Sequence, residues 1–179
     1  MNSIETNRLI LRGFQEEDYQ DLYDYLSDEE VVKFEPYEPF SLNACKDEAL
    51  NRSKNKSFIA VVLKDTKKVI GNLYFQKCHF ETWELGFVFN RQYQKQGYAA
   101  ESIEALFEKV FCDRKVRRIV ALCNPDNTNS WHLLERVGME REGHLKQNIY
   151  FRVNDRNEPI WQDTYQYGLL CEDYFEKQK

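Results

Sequence analysis

No stretch of the 179 residues strings together the ~18 apolar side chains that a membrane-crossing helix needs. The opening MNSIETNRLILRGF also lacks the apolar core of a secretory leader. Both absences predict a chain that stays in the cytoplasm, without membrane association. Glycine (seven) and proline (four) are scarce and nothing repeats, which excludes collagen-like, solenoid and low-complexity architectures. The five cysteines, Cys45, Cys78, Cys112, Cys123 and Cys171, are odd in number and show no C-x-x-C spacing. Reduced, mostly buried thiols are expected rather than a disulfide framework or a zinc site. His79, His132 and His144 are too scattered for a metal triad, so no metal is implied. Basic charge is not in excess: the formal net charge is -5, which gives nucleic-acid binding no support.

What is present fits one domain over residues 1–179, with 42% hydrophobic residues to fill a core. RLILRGF reads as a strand and QEEDYQDLYDYL as a helix with Leu22, Tyr23 and Leu26 on one side. Residues 27–40, with two prolines, read as a connecting loop, and Ser41 as the cap of a second helix running to about Arg52. Three strands follow at 58–63, 69–76 and 83–89, spaced as an antiparallel meander. Ala99, Ile103, Leu106, Phe107, Val110 and Phe111 recur at intervals of three and four, one apolar face of a helix. A strand at 118–123, a short helix at 127–137 ended by Gly138, and strands at 140–151 and 161–170 complete an α+β chain. Within the last strand the period of two puts Trp161, Asp163, Tyr165 and Tyr167 on one face.

The most informative segment is FVFNRQYQKQGYAAESIEALF: a strand, a polar loop, then an amphipathic helix that starts at Gly97. A helix N-terminus offers unpaired N–H groups and the positive end of the dipole, so a pyrophosphate fits against residues 95–100 without a lysine. Gly97 has no Cβ to hold the backbone off, and Ala99 and Ala100 keep the next positions small. A plain loop-to-helix junction would show the same single glycine. The spacing Gln94, Gly97, Ala99 is Q-x-x-G-x-A, which resembles the coenzyme A pyrophosphate loop of the GNAT superfamily of N-acetyltransferases. It is neither a Walker loop nor a Rossmann fingerprint.

The resemblance spans almost the whole chain. ETNRLILR, WELGFVF, the N-P-D-N-x-x-S stretch at 124–130, ERVGM at 135–139 and W-x-D-x-x-x-Y at 161–167 stand in the order of the branch that contains the ribosomal-protein-alanine N-acetyltransferases. It implies a mostly antiparallel sheet of six or seven strands, splayed at the centre, with helices on both faces. It implies acetyl-CoA as cosubstrate, with Phe87, Val88 and Phe89 pairing with the pantetheine amides and Gln94, Lys95, Gln96, Gly97, Tyr98, Ala99 and Ala100 holding the pyrophosphate. Asn127 matches the family's cofactor-side asparagine and Asn124 is a second polar candidate; an Asn-Pro turn and a helix cap would use both equally well.

For acid–base work, Glu84 on the strand ahead of the loop matches an acid that serves some members as base, directly or through water; a structural acid at a sheet edge is the alternative. Many relatives protonate the departing thiolate with a tyrosine where this chain has Leu134. Ser130, near the start of that helix, is then the best-placed hydroxyl, or simply a first-turn residue with a local hydrogen bond. The branch's further acid after GHLKQ falls on Asn148, Ile149 and Tyr150 and does not transfer.

The implied reaction is direct attack of a neutral amine in a ternary complex, with the N–H of Phe87 or Val88 polarising the thioester carbonyl. At pH 7 a lysine amine is neutral only about 0.04% of the time and an α-amine roughly 10 to 17%, so an α-amine needs the weaker base. A protein N-terminus and a small-molecule amine both remain open as acceptor, as do monomer and homodimer. A non-catalytic CoA-binding or sensor module on the same fold is the rival reading. By the resemblance, the acids Asp28, Glu29, Glu30, Glu35 and Glu38, set against Lys33, lie where an amine would enter.

Overall fold

The computed structural model describes residues 3–113 and 116–177. The chain runs β1 (Ile4–Glu5), β2 (Leu9–Gly13), α1 (Tyr19–Leu26), α2 (Glu29–Val32), α3 (Leu42–Lys54), β3 (Phe58–Leu63), β4 (Val69–Lys77) and β5 (Thr82–Phe89). It continues through α4 (Tyr98–Cys112), β6 (Arg118–Cys123), α5 (Thr128–Arg136), β7 (Glu140–Ile149), β8 (Gln162–Leu170) and α6 (Cys171–Glu176). One sheet takes all eight strands in the order β1-β2-β3-β4-β5-β6-β8-β7. Every neighbouring pair is antiparallel except β5 and β6, which are parallel because α4 carries the chain back across the sheet between them.

The sheet has one strand more than the upper expected number. The addition, β1, pairs Ile4 with Leu11 and Glu5 with Ile10, and two residues are too short to leave a periodic trace. Thr6 makes the turn, its hydroxyl accepting from Leu9 N at 2.9 Å. The expected loop at 27–40 contains α2, whose N-terminus Asp28 caps by accepting from Glu30 N. Ser41 caps α3 in the same way, accepting from Ala44 N. In α1 the buried face is Leu22, Tyr25 and Leu26, while Tyr23 lies 39% exposed; spacing of three and four selects Tyr25 over Tyr23. Strand β6 begins and ends where expected, and α5 stops at Gly138, whose φ of 89° is the left-handed conformation anticipated there.

Two cores lie on opposite faces of the sheet. On one, α4 and α5 bury Ile103, Leu106, Phe107 and Leu134 against Leu73, Leu85, Ile119 and Tyr167. Tyr174 of α6 closes that layer against Phe107 and Phe111. On the other, α1 to α3 bury Leu22, Tyr25, Val32, Cys45 and Ala49 against Ala60, Val62, Val69 and Val88. Along β5 the odd residues therefore face α4 and the even ones face α1 to α3. Among the described residues no helix is long and apolar enough to cross a membrane.

Under the second layer sits a buried polar knot. Asn72 Oδ1 accepts from the Tyr25 hydroxyl and from Arg52 Nη1, both at 3.0 Å, and Arg52 Nε donates to Glu48 at 2.6 Å. Asn72 is the β4 partner of Val88, so this knot supports the strand end that matters below. Replacing Asn72 by Ala leaves a buried hydroxyl and a buried guanidinium without their shared acceptor, a loss of about 2–5 kcal/mol. Urea unfolding should show a lower midpoint with an unchanged slope.

Candidate active site

Strands β5 and β6 stay paired from Thr82↔Arg118 to Leu85↔Ala121 and then part. Beyond that point Leu122 and Cys123 pair only with β8, and Gly86 to Phe89 only with β4. Which peptide groups this exposes follows from the register. Cys78 N donates to Thr82 O and Asn90 N to Ile70 O, so even-numbered residues of β5 turn their N–H and C=O to β4 and odd-numbered ones turn theirs away. Phe87 and Phe89 thus present their peptide groups to the gap. Val88, the alternative carbonyl-polarising residue, has its N–H directed at Asn72. The Phe89 carbonyl already accepts from Gln94 Nε2 at 3.0 Å.

The gap opens into a cavity of about 790 Å³, within the range of small-molecule sites. One wall is the loop between β5 and α4. Lys95 (φ 58°) and Gly97 (φ 84°) are both left-handed, which curls the loop so that successive N–H groups face one way. The first intrahelical bond of α4 runs from Glu101 N to Gly97 O, so the N–H groups of Tyr98, Ala99 and Ala100 have no helical acceptor. The residues present therefore fit an anionic diphosphate. The loop is pinned from outside by Arg8, which donates to Gln96 O at 3.1 Å and to Glu101 at 2.7 Å while stacking 4.2 Å over Tyr98. Thr6 Oγ1 donates to the same carboxylate at 2.6 Å.

The opposite wall is the start of α5. Asn127 caps it, accepting from Ser130 N at 3.3 Å, and both residues line the cavity. Burial pushes the Cys123 thiol up to about 11, against a smaller lowering effect from the neighbouring Ser130 hydroxyl. Cys123 is therefore a neutral thiol at physiological pH and a poor nucleophile, which disfavours a covalent intermediate on it. Leu134, where relatives carry tyrosine, is fully buried in the core.

The structure brings together Phe87, Val88, Phe89, Gln94, Lys95, Gly97, Tyr98, Ala99, Ala100, Asn127 and Ser130 around one cavity. Three candidates stand outside its lining. Glu84 shares Val88's face but lies where β5 and β6 are still paired, opposite Val120, with Cys78 Sγ 3.9 Å from its carboxylate. Gln96 points its side chain back to Gln92 O at 2.8 Å. Asn124 is occupied by Asp126 N at 2.9 Å and Gln162 Oε1 at 3.1 Å. The cavity also takes in Glu30, Lys33, Phe34 and Glu35 from the segment around α2. The sequence signal for that stretch was its run of acids, which marked an entrance and not a wall.

Residues 8–140 match the model of an acetyltransferase (GNAT) domain. The chain belongs to the GNAT acetyltransferase family. This acetyltransferase is 37% identical over 173 residues to the uncharacterized N-acetyltransferase YnaD of Bacillus subtilis, covering 96% of this chain and 98% of that one. It superposes on the crystal structure of a GNAT-family acetyltransferase from Bacillus anthracis with a TM-score of 0.86 at 32% identity, over 95% and 99% of the two chains. It is 24% identical to the [ribosomal protein uS5]-alanine N-acetyltransferase of Escherichia coli over 82% of each chain. Such enzymes take their acetyl group from acetyl-CoA, and the splayed sheet is the family's fold.

In this GNAT chain Glu101 ties the loop to the first strands. Partial burial raises its carboxyl, but hydrogen bonds from Thr6 and Arg8 outweigh that and hold it below the ordinary carboxylate range. A depressed carboxyl contributes stability above its unfolded pKa and loses it as the pH falls through the folded one. Glu101→Gln should cost about 1 kcal/mol at pH 7, the pair being partly screened. Its thermal midpoint should fall less steeply than the wild type's on acidification below the carboxylate range.

Proposed function

We propose that the cavity at the splay binds acetyl-CoA and a primary amine together and transfers the acetyl group directly between them. The acceptor is a protein N-terminal α-amine or a small-molecule amine. The observation that carries this reading is the convergence of three features on one cavity: the outward peptide groups of Phe87 and Phe89, the first-turn N–H groups of α4, and the Ser130 hydroxyl. When bound, acetyl-CoA supplies an activated thioester; the chain's own groups place and polarise it. The N–H of Phe87 faces the gap and donates to the carbonyl oxygen as negative charge builds there. Residues 95–100 take the diphosphate at the helix N-terminus.

Ser130 gives a proton to the departing thiolate and Asn127 fixes the turn that presents it. Glu84, one pair back from the splay, lies outside the cavity lining. The E. coli relative acting on a ribosomal-protein alanine favours an N-terminal acceptor within this range.

A thiol-release assay with acetyl-CoA against polyamines, free amino acids and alanine- or serine-initiated peptides tests the activity; no thiol above the uncatalysed rate with any of them rejects it. Gly97→Glu adds an acidic side chain at a left-handed position, with Arg8 Nη2 3.3 Å from its Cβ, and so strains the loop and disturbs the Arg8 pin behind the residues that would hold the diphosphate. Calorimetric titration should show acetyl-CoA affinity reduced by about 100-fold or more, from lost backbone contacts and added like charge. Ser130→Ala should lower kcat by about 10- to 100-fold and leave the KM for acetyl-CoA within twofold, since a leaving-group donor acts in the transition state. Weaker binding with normal turnover would instead assign Ser130 to holding the cofactor.

A further inference from the structure

Glu35 is the one carboxyl that the fold carries from the α1-to-α3 layer into the cavity wall and holds half-buried there; Glu30 lines the same cavity but is solvent-exposed. Its backbone is fixed. Glu35 N donates to Val32 O at 2.9 Å, Pro36 follows directly, and Phe40 N donates to Leu26 O at 2.9 Å to close the loop. A residue before proline is confined to extended conformations, so the side chain is presented and not left to wander. Tyr37 and Phe40, stacked edge to face at 5.2 Å, pack the same loop onto the core that contains Val88. Ser130 reaches the cavity from α5, on the other layer. Glu35 and Ser130 thus line one cleft from the two faces of the sheet, on either side of the open edge of β5.

We propose that Glu35 takes the proton from the acceptor's ammonium, from the side of the cleft opposite Ser130, before the nitrogen attacks the thioester. This rests on the acetyl-transfer reading above and assigns the base role to Glu35 ahead of Glu84. The step balances. One N–H proton passes to a Glu35 oxygen, and the nitrogen lone pair forms the C–N bond as the C–S bond breaks. The second N–H proton ends on the sulfur, and Glu35 returns its own to solvent.

The surroundings suit that task. Burial raises the Glu35 carboxyl to about 7, against smaller lowering effects from a Tyr37 hydrogen bond and the Arg52 charge. Arg52 acts weakly because Glu48 and Asn72 already hold it. Of the other charged and titratable groups around it, Tyr25 is buried within the knot, Arg152 is bound to Glu38 and to the Lys33 carbonyl, and Glu30, Lys33, Lys95, Asp126, His132 and Arg136 line the same cavity. A base near 7 accepts from an α-ammonium of ~7.7–8.0 at about a tenfold disadvantage, and from a lysine-like ammonium of ~10.4 at more than a thousandfold. On the proposed role, that match in proton affinity favours an α-amine acceptor.

The experiment compares wild type, Glu35→Gln and Glu84→Gln in two readouts. In the first, kcat/KM for an alanine-initiated peptide is followed from pH 5.5 to 9, with acetyl-CoA affinity measured beside it. Glu35→Gln should lose about 100-fold or more in kcat/KM and lose the wild type's rise through pH 7, with acetyl-CoA affinity within twofold. Glu84→Gln should keep that rise.

The second readout is the midpoint of thermal unfolding from pH 4.5 to 8.5 and needs no turnover. A carboxyl raised by folding gives stability that is full below its unfolded pKa and is lost as the pH climbs through the folded one. Glu35→Gln should therefore remove a decline seen in the wild type between pH 5 and 8, without lowering the midpoint at pH 8. Parallel pH–stability curves for wild type and Glu35→Gln overturn the proposal whether or not the peptide is acetylated. A Glu35→Gln enzyme within threefold of wild type and with the same pH profile also overturns it. Thiol release absent from the wild type rejects the transfer reading, and the proton-transfer role falls with it.

Discussion

Strands β5 and β6 are hydrogen-bonded for four residue pairs and then separate, and the backbone edge this exposes is the constraint on which the site depends. Interior peptide groups are rarely left unpaired. Past Leu85 the fold satisfies every second residue of β5 through β4 and leaves Phe87 and Phe89 facing the gap. The Phe89 carbonyl is answered from within, by Gln94. What is left is a short run of donors and an acceptor at a fixed register, rigid because its other edge is locked to β4. A ligand that completes it adds a strand in place of β6. The buried knot of Tyr25, Asn72, Arg52 and Glu48 then reads as the support that keeps this half-paired strand from shifting.

The parallel pairing of β5 and β6 has a second consequence. A parallel connection needs a crossover, and here the crossover is α4, so its N-terminus lies at the very end of β5 where the strands part. The helix dipole, the left-handed loop and the open strand edge therefore coincide by topology, with no separate device required. Arg8 and Thr6 fasten the helix start to the first strands through Glu101. The N-terminal hairpin is in this way part of the framework of the loop, although neither residue lines the cleft.

Much of this was legible in the sequence, for identifiable reasons. The apolar periodicity of α4, the run RIVALC and the cap signals at Ser41 and Asn127 are local, and locally encoded elements appear where expected. Gly97 could be singled out because its φ of 84° is a property of the residue itself. The unread features depend on contacts between distant segments. Asn124 looked available until Gln162, 38 residues on, took its amide. Glu84 stands one pair short of the opening, and where two strands part is set by how β6 pairs with β8. The buried Tyr25 hydroxyl finds its acceptor in Asn72, 47 residues on.

The acidic stretch around α2 shows best how placement overrides composition. Read as a string, its five acids form a field to draw in a cation. In the fold they divide: Asp28 caps α2 and pairs with Arg91 at 3.3 Å, and Glu38 pairs with Arg152 at 3.1 Å. Both cations come from far along the chain, so the segment's net charge overstates the field at the cleft. Exposed pairs of this kind contribute little individually and are screened by salt. Glu35, turned inward and raised by burial to about 7, carries only part of a charge near neutral pH. A carboxyl in that state attracts an ammonium less strongly at long range than an exposed one would, but in the role proposed for it takes a proton from an α-ammonium at only about a tenfold disadvantage. On the role proposed for Glu35, the segment contributes to acceptor choice by matched proton affinity at short range, set by burial against smaller lowering effects from Tyr37 and Arg52 and not by the number of acids.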